Sequence, residues 1–182
     1  MRKLLSIIIL INLVSCFPFS TRKQKIHKDD FISLSEEDYA KKYYSIPFKS
    51  TIDFTKLKKN QAYLISRNND AFQIFVFSDN GYVYSTSLIY DNNLNNIPSQ
   101  KLFKVGVFTN SLKKIKKEKI VSNPEGLFGF IEEGSIKNDT IFMTRNYQTD
   151  KPNKRRSQSE NYIYTPDIKV FKLGDVITIE SK

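Results

Sequence analysis

Asn80-Gly81 lies between two apolar runs, Phe72–Ser78 and Tyr82–Tyr90. An Asn-Gly pair so placed is a strong hairpin signal, because both residues tolerate the left-handed backbone of a tight turn. Two further turns repeat the pattern: Asn138-Asp139 joins Phe128–Ile136 to Thr140–Tyr147, and Gly174-Asp175 joins Ile168–Leu173 to Val176–Glu180. Gln61–Ser66, Leu102–Thr109 and Asn161–Thr165 read as further strands. Hairpins at these intervals predict a mainly β, antiparallel meander, either a closed barrel or a sandwich.

A two-residue type I′ loop at Asn80-Gly81 places Phe77 opposite Tyr84 and Phe75 opposite Thr86. One face then carries Phe75, Phe77, Tyr84 and Leu88, and the other carries Phe72, Ile74, Val76 and Ile89. Apolar residues on both faces predict that both are covered, one by the main core and the other by an N-terminal helix. That helix runs from Ser35, a capping residue ahead of three acidic ones, to about Tyr44, and Pro47 stops it. A short turn over Asp53–Asn60 brings Phe54 and Leu57 inward together. Asp91–Gln100 is expected as a loop, Ser111–Lys119 as a short basic helix, and Lys151–Ser159 as a basic hairpin loop.

The chemistry is bounded by what the chain lacks. Cys16 is the only cysteine and His27 the only histidine. A disulfide, a thiolate zinc site, a cysteine nucleophile within the fold and a Ser-His-Asp triad are therefore not expected, nor is a cofactor or a metal. His27 sits in a polar stretch and reads as a tether residue. Asp91-Asn92-Asn93-Leu94-Asn95-Asn96 has the oxygen-rich start of an EF-hand loop, but its sixth position is not Gly and its twelfth is Leu102. Glu132 and Glu133 point to opposite faces of a strand, so they cannot share a substrate, and they read as solvated residues.

Lys113, Lys114, Lys116, Lys117 and Lys119 form one basic cluster, and Lys151, Lys154, Arg155 and Arg156 form a second, in a chain of net charge +10. Such clusters are either solvated loops or seats for phosphates, and for an exported chain anionic lipid is the better partner than nucleic acid. Asp139-Thr140-Ile141 fits an O-glycosylation pattern of some exported bacterial proteins, and serves equally as a turn followed by a strand.

The N-terminus supplies an address. Arg2 and Lys3 precede an apolar run, Leu4–Val14, too short for a membrane span of about 20 helical residues and suited to a secretory signal. It ends in Leu13-Val14-Ser15-Cys16, which resembles the bacterial lipobox. Residues 1–15 are thus expected to be a cleaved signal peptide, with Cys16 as the lipid-bearing residue, residues 16–30 as a tether and residues 31–182 as one β domain with a short N-terminal helix. Phe17–Lys23 has no acidic residue, which favours the periplasmic face of the outer membrane over the cell surface.

Tyr63 after Leu57-Lys58-Lys59-Asn60, Phe75-Val76-Phe77 with Asn80-Gly81, and Gly129-Phe130 leading to Asn138-Asp139-Thr140-Ile141 resemble a loose group of small bacterial lipoproteins. The resemblance covers about Asp53 to Lys182 and implies a lipocalin-like β-barrel. It implies no catalytic residue, and the basic stretch Ser111–Lys119 departs from the group. The expectation is a non-catalytic, membrane-anchored barrel that binds a small apolar ligand or an envelope protein through residues the sequence does not identify. The alternative is an accessory subunit of an envelope complex acting through its basic loops.

Overall fold

A computed structural model describes residues 28–47, 52–67, 71–90, 97–111, 113–123 and 126–181. The expected signal peptide, Cys16, His27 and the run 91–96 lie outside the described residues. Eight antiparallel strands close into a barrel: β1 (Ala62–Ser66), β2 (Phe72–Phe77), β3 (Tyr82–Ser85), β5 (Phe103–Ser111), β6 (Lys114–Asn123), β7 (Gly126–Lys137), β8 (Thr140–Gln148) and β9 (Arg156–Tyr164). Closure comes from β9 returning to β1 through Tyr63↔Tyr164 and Leu64↔Ile163, which leaves the barrel without an open edge. β4 (Gln100–Lys101), β10 (Ile168–Leu173) and β11 (Val176–Ser181) form a separate sheet in the order β10-β11-β4. Of the two expected architectures, the barrel is the one formed.

β2, β3 and β5 are apolar on both faces because each face meets a core. Inside, Tyr63, Phe75, Phe77, Val83, Phe108, Ile141 and Met143 pack together. Outside, Ile74, Val76, Tyr82, Tyr84 and Val107 pack against Ile168, Ile177 and Ile179 of the separate sheet. The outer layer is therefore covered chiefly by the C-terminal hairpin, with Ala40 and Ile46 from the helical segment beside it.

The β2–β3 turn corrects the expected register. Ser78 and Tyr82 close the turn, and Asp79, Asn80 and Gly81 form a three-residue loop in which only Gly81 has a left-handed backbone (φ 84°). A type I′ loop needs positive φ at two residues, whereas a type I turn followed by one left-handed residue needs it once. The extra loop residue shifts the pairing to Phe75↔Ser85, Val76↔Tyr84 and Phe77↔Val83. A one-residue shift reverses the face of every partner. Tyr84 therefore lies outside with Val76, Val83 takes its place inside, and Leu88 is exposed.

Three further expectations need correction. Ser111–Lys119 is not a helix, since residues 114–123 form β6, paired with β5 and β7. Its lysines alternate with the strand period of two: Ile115 and Lys117 point inward, and Lys114 and Lys116 point outward. Lys151–Ser159 is only partly loop, because β9 begins at Arg156. The tether expected to run to Asp30 is already helical at Lys28, where α1 (Lys28–Ser33) begins. Asp30 accepts hydrogen bonds from Lys42 (2.6 Å) and from the Tyr43 hydroxyl, which fastens α1 to α2 (Glu36–Tyr43). Ser35 caps α2 as expected, accepting from the Asp38 backbone N–H at 3.1 Å.

One end of the barrel is sealed. Ile52, Phe54 and Leu57 pack under the start of β1, as the sequence predicts for the latter two. The Lys58 backbone N–H donates to the Tyr63 hydroxyl (2.8 Å), and Asp53 N–H donates to Asn110 Oδ1 (3.1 Å), so the plug is pinned to two strands. On the outer wall, buried Glu118 accepts from Ser45 N–H (2.6 Å), Ser45 Oγ (2.8 Å) and Ile46 N–H (2.9 Å), tying the chain after α2 to β6.

Candidate functional site

Above the aromatic floor, the inward positions change character. β6 places Lys117 directly opposite Glu132 of β7, and the Lys117 ammonium sits 2.5 Å from Glu132 Oε2 with only 3% of its side chain exposed. Lys119, two residues along the same strand face, reaches Glu132 Oε1 at 2.7 Å. Lys117 also donates to the Tyr162 hydroxyl (2.5 Å), with its ammonium about 4.8 Å from the centre of the Phe75 ring and 4.9 Å from that of Tyr162. Tyr162 Oη lies 3.3 Å from Glu160 Oε2, and Glu160 is paired with Arg67. Arg67 donates to Gln73 Oε1 (3.1 Å), whose Nε2 donates to the Thr86 carbonyl (2.9 Å). A belt of polar groups thus crosses the barrel from β6 to β3.

Burial and ion pairing compete within the belt. Burial alone raises a carboxyl pKa, but the two ammonium groups on Glu132 prevail and lower it. Burial lowers the pKa of Lys117 more than Glu132 raises it. Tyr162 is pushed well above its usual range, first by burial and then by the two carboxylates beside it. Glu132 and Glu160 are the closest thing to a carboxylate pair inside the barrel. Both are paired with cations, Glu132 with Lys117 and Lys119 and Glu160 with Arg67.

Above the belt lies the mouth. Glu132, Asn146 and Arg156 share one level across β7, β8 and β9, and Phe130 and Gln148 pair at the next level out. Phe130, Asn146, Gln148 and Arg156, with Tyr147, Lys151 and Lys154, line a cleft of ≈180 Å³. Asn146 Nδ2 donates to Gln158 Oε1 at 3.2 Å, and Arg155 stacks on the Tyr147 ring at 5.3 Å. Lys151, Lys154 and Arg156 form no ion pair with any described residue, while Phe103 on the rim is 60% exposed. The arrangement is three cations and two amides around an aromatic ring, which suits a small anionic group with an apolar neighbour.

The structure sorts the sequence candidates plainly. The second basic cluster is brought together at the mouth. The first is dispersed: Lys117 and Lys119 enter the belt, Lys116 pairs with Glu133 outside (2.9 Å), and Lys113 and Lys114 face the sealed end. Glu132 and Glu133 do lie on opposite faces, but Glu132 is buried where solvation was expected. Thr140 opens β8 beside Asp139, which is 3.3 Å from Lys58. The belt itself went unread, although charges at inward positions of a strand were its available signal. Among the described residues, no cluster of His, Cys, Asp or Glu could hold a metal, and no helix is long and apolar enough to cross a membrane. No family model, curated protein or solved structure matches the chain.

Proposed function

We propose that this chain is a lipid-anchored, non-catalytic envelope protein whose barrel mouth binds a small molecule bearing a phosphate or carboxylate. The observation that supports it is the cleft in which Lys151, Lys154 and Arg156 surround Phe130. The expected apolar ligand is revised by what fills the barrel: aromatic and aliphatic side chains occupy the sealed half, and paired charges occupy the belt. A cleft of ≈180 Å³ is below the usual range of roughly 300–1,000 Å³ for a whole ligand, so it suits a headgroup whose apolar part continues along the rim by Phe103. A cation so placed is most effective toward a partly desolvated anion, where bidentate Arg contacts are strong. The lipid at Cys16 and the periplasmic face of the outer membrane complete this reading.

Native mass spectrometry of the protein purified gently from its own membrane tests it. A discrete small-molecule mass, lost in Arg156→Ala, is the expected result, and the bare mass alone would overturn it. The same loop cations also serve the accessory-subunit reading, and a protein-sized addition in the same spectrum would favour that instead.

A further inference from the structure

We propose that the sealed end of the barrel is a foot that rests on an anionic bilayer surface, so that the mouth faces away from the membrane. This rests on features other than the mouth.

The contacts connect the sealed end into one surface. At one side is the tip of the β10–β11 hairpin, where Lys172 pairs with Asp79 and Asn80 approaches Asp175. Asp79 also accepts from Lys59 of the plug, and Lys58 pairs with Asp139 at the β7–β8 turn. At the other side Thr55 and Lys56 of the plug face Ser111, Lys113 and Lys114 across a recess of ≈430 Å³.

Two properties of this surface fit a bilayer. The first is an apolar tip. Leu173 and Val176 are cross-strand partners, Phe171 shares their face, and Leu173 is 84% exposed. Such side chains can enter the headgroup–acyl boundary, where burial of apolar area favours binding. The second is charge. Asp79 and Asp139 are already matched by lysines, whereas Lys56, Lys113 and Lys114 pair with no described acid. Asp175 is the opposing charge nearest the tip. Lysines close to an anionic leaflet each strengthen binding roughly five-fold, and the recess between them is roomy enough for a lipid phosphate. A protein partner would need a complementary surface over the whole end, whereas a protruding apolar tip on the same end of the barrel as lysines without an acidic partner matches the layered chemistry of a membrane interface. The chain from Cys16 to Lys28 spans at most roughly 40 Å when extended, so an anchor at Cys16 keeps the domain within reach of that surface.

The absence of tryptophan gives a direct test, since any installed tryptophan is the sole one. Leu173→Trp and Tyr90→Trp place it on exposed sites, the first at the tip and the second beyond the end of β3, at the mouth end of the barrel. The full chain, purified from membranes, is reconstituted in phosphatidylglycerol vesicles carrying brominated acyl chains. The foot predicts blue-shifted emission and strong quenching for Leu173→Trp only, reduced severalfold by Lys113→Gln with Lys114→Gln and in neutral phosphatidylcholine. Equal quenching at both sites, or solvent-like emission from Leu173→Trp in both lipids, would overturn it.

Discussion

The two halves of the barrel interior are carried by the same strands. β2 contributes Phe75 and Phe77 to one half and Gln73 to the other; β6 gives Ile115, then Lys117 and Lys119; β7 gives Ile136, then Glu132; β9 gives Tyr162, then Glu160. In the sealed half, edge-on aromatic pairs such as Phe77–Phe108, with ring centres 5.1 Å apart, fill the interior, and the Tyr63 hydroxyl and Asn110 are satisfied by the plug. In the charged half every buried polar group named above has a hydrogen-bond or ion-pair partner. Strand alternation decides which side chains enter the barrel, and the change of residue type along each strand decides what each half can do. The sealed half supplies stability, and the charged half is fixed in place to present a mouth.

The strongest way to break this contrast is to remove one member of the belt. Glu132→Ala leaves the Lys117 ammonium buried without its carboxylate and should cost about 3–5 kcal/mol in urea unfolding. Lys117→Met with Glu132→Leu removes the pair together and should lose far less, since a buried ion pair roughly breaks even against apolar packing. A double variant as unstable as the single would mean that shape and not charge pairing holds this half. In the sealed half, Leu57→Ala opens a cavity under β1 and should cost about 3 kcal/mol, read as a lower Tm, without changing ligand binding at the mouth.

Acid should separate the halves further. The folded-state pKa of Glu132 is lowered, so its contribution is present above the ordinary Glu value and is lost as pH falls through the folded one. Asp79 behaves alike: partial burial works against its charge, but hydrogen bonds from Lys172 and Lys59 hold it down at about 2. Stability should therefore fall as the pH drops below about 4.5, and Glu132→Gln should flatten part of that slope in a pH series of Tm. Lys117 adds a trend of the same sign at higher pH: with its pKa lowered, the folded state gains stability as pH rises from the folded value toward the ordinary Lys value. The smallest effect on stability belongs to the mouth. Arg156→Ala and Lys154→Ala sit on exposed cations and should shift unfolding by no more than about 0.5 kcal/mol while weakening anion binding, measured by calorimetry.

Much of this contrast was legible where local chemistry decides structure. The turns at Asn138-Asp139 and Gly174-Asp175, the Ser35 cap and the inward pair Phe54 and Leu57 all formed as their residues predict. The β2–β3 register was not, because Asn80-Gly81 is compatible with two loop lengths and one residue decides between them. β6 was hidden by its lysines: five cations in seven residues suggest a solvated helix until strand pairing shows that two of them turn inward to one glutamate. That glutamate, Glu132, lies 15 residues later in the chain than Lys117, and Glu160 and Arg67 come from opposite ends of the barrel sequence. Long-range pairing, and not residue type, makes the belt.

Mapping of backbone amide shifts by NMR during titration with a short-chain alkyl phosphate tests the central claim most directly. The account predicts saturable shifts centred on Phe130, Gln148, Lys154 and Arg156, with Leu57 and its neighbours unmoved. Shifts confined to the sealed end, or none that saturate, would contradict it.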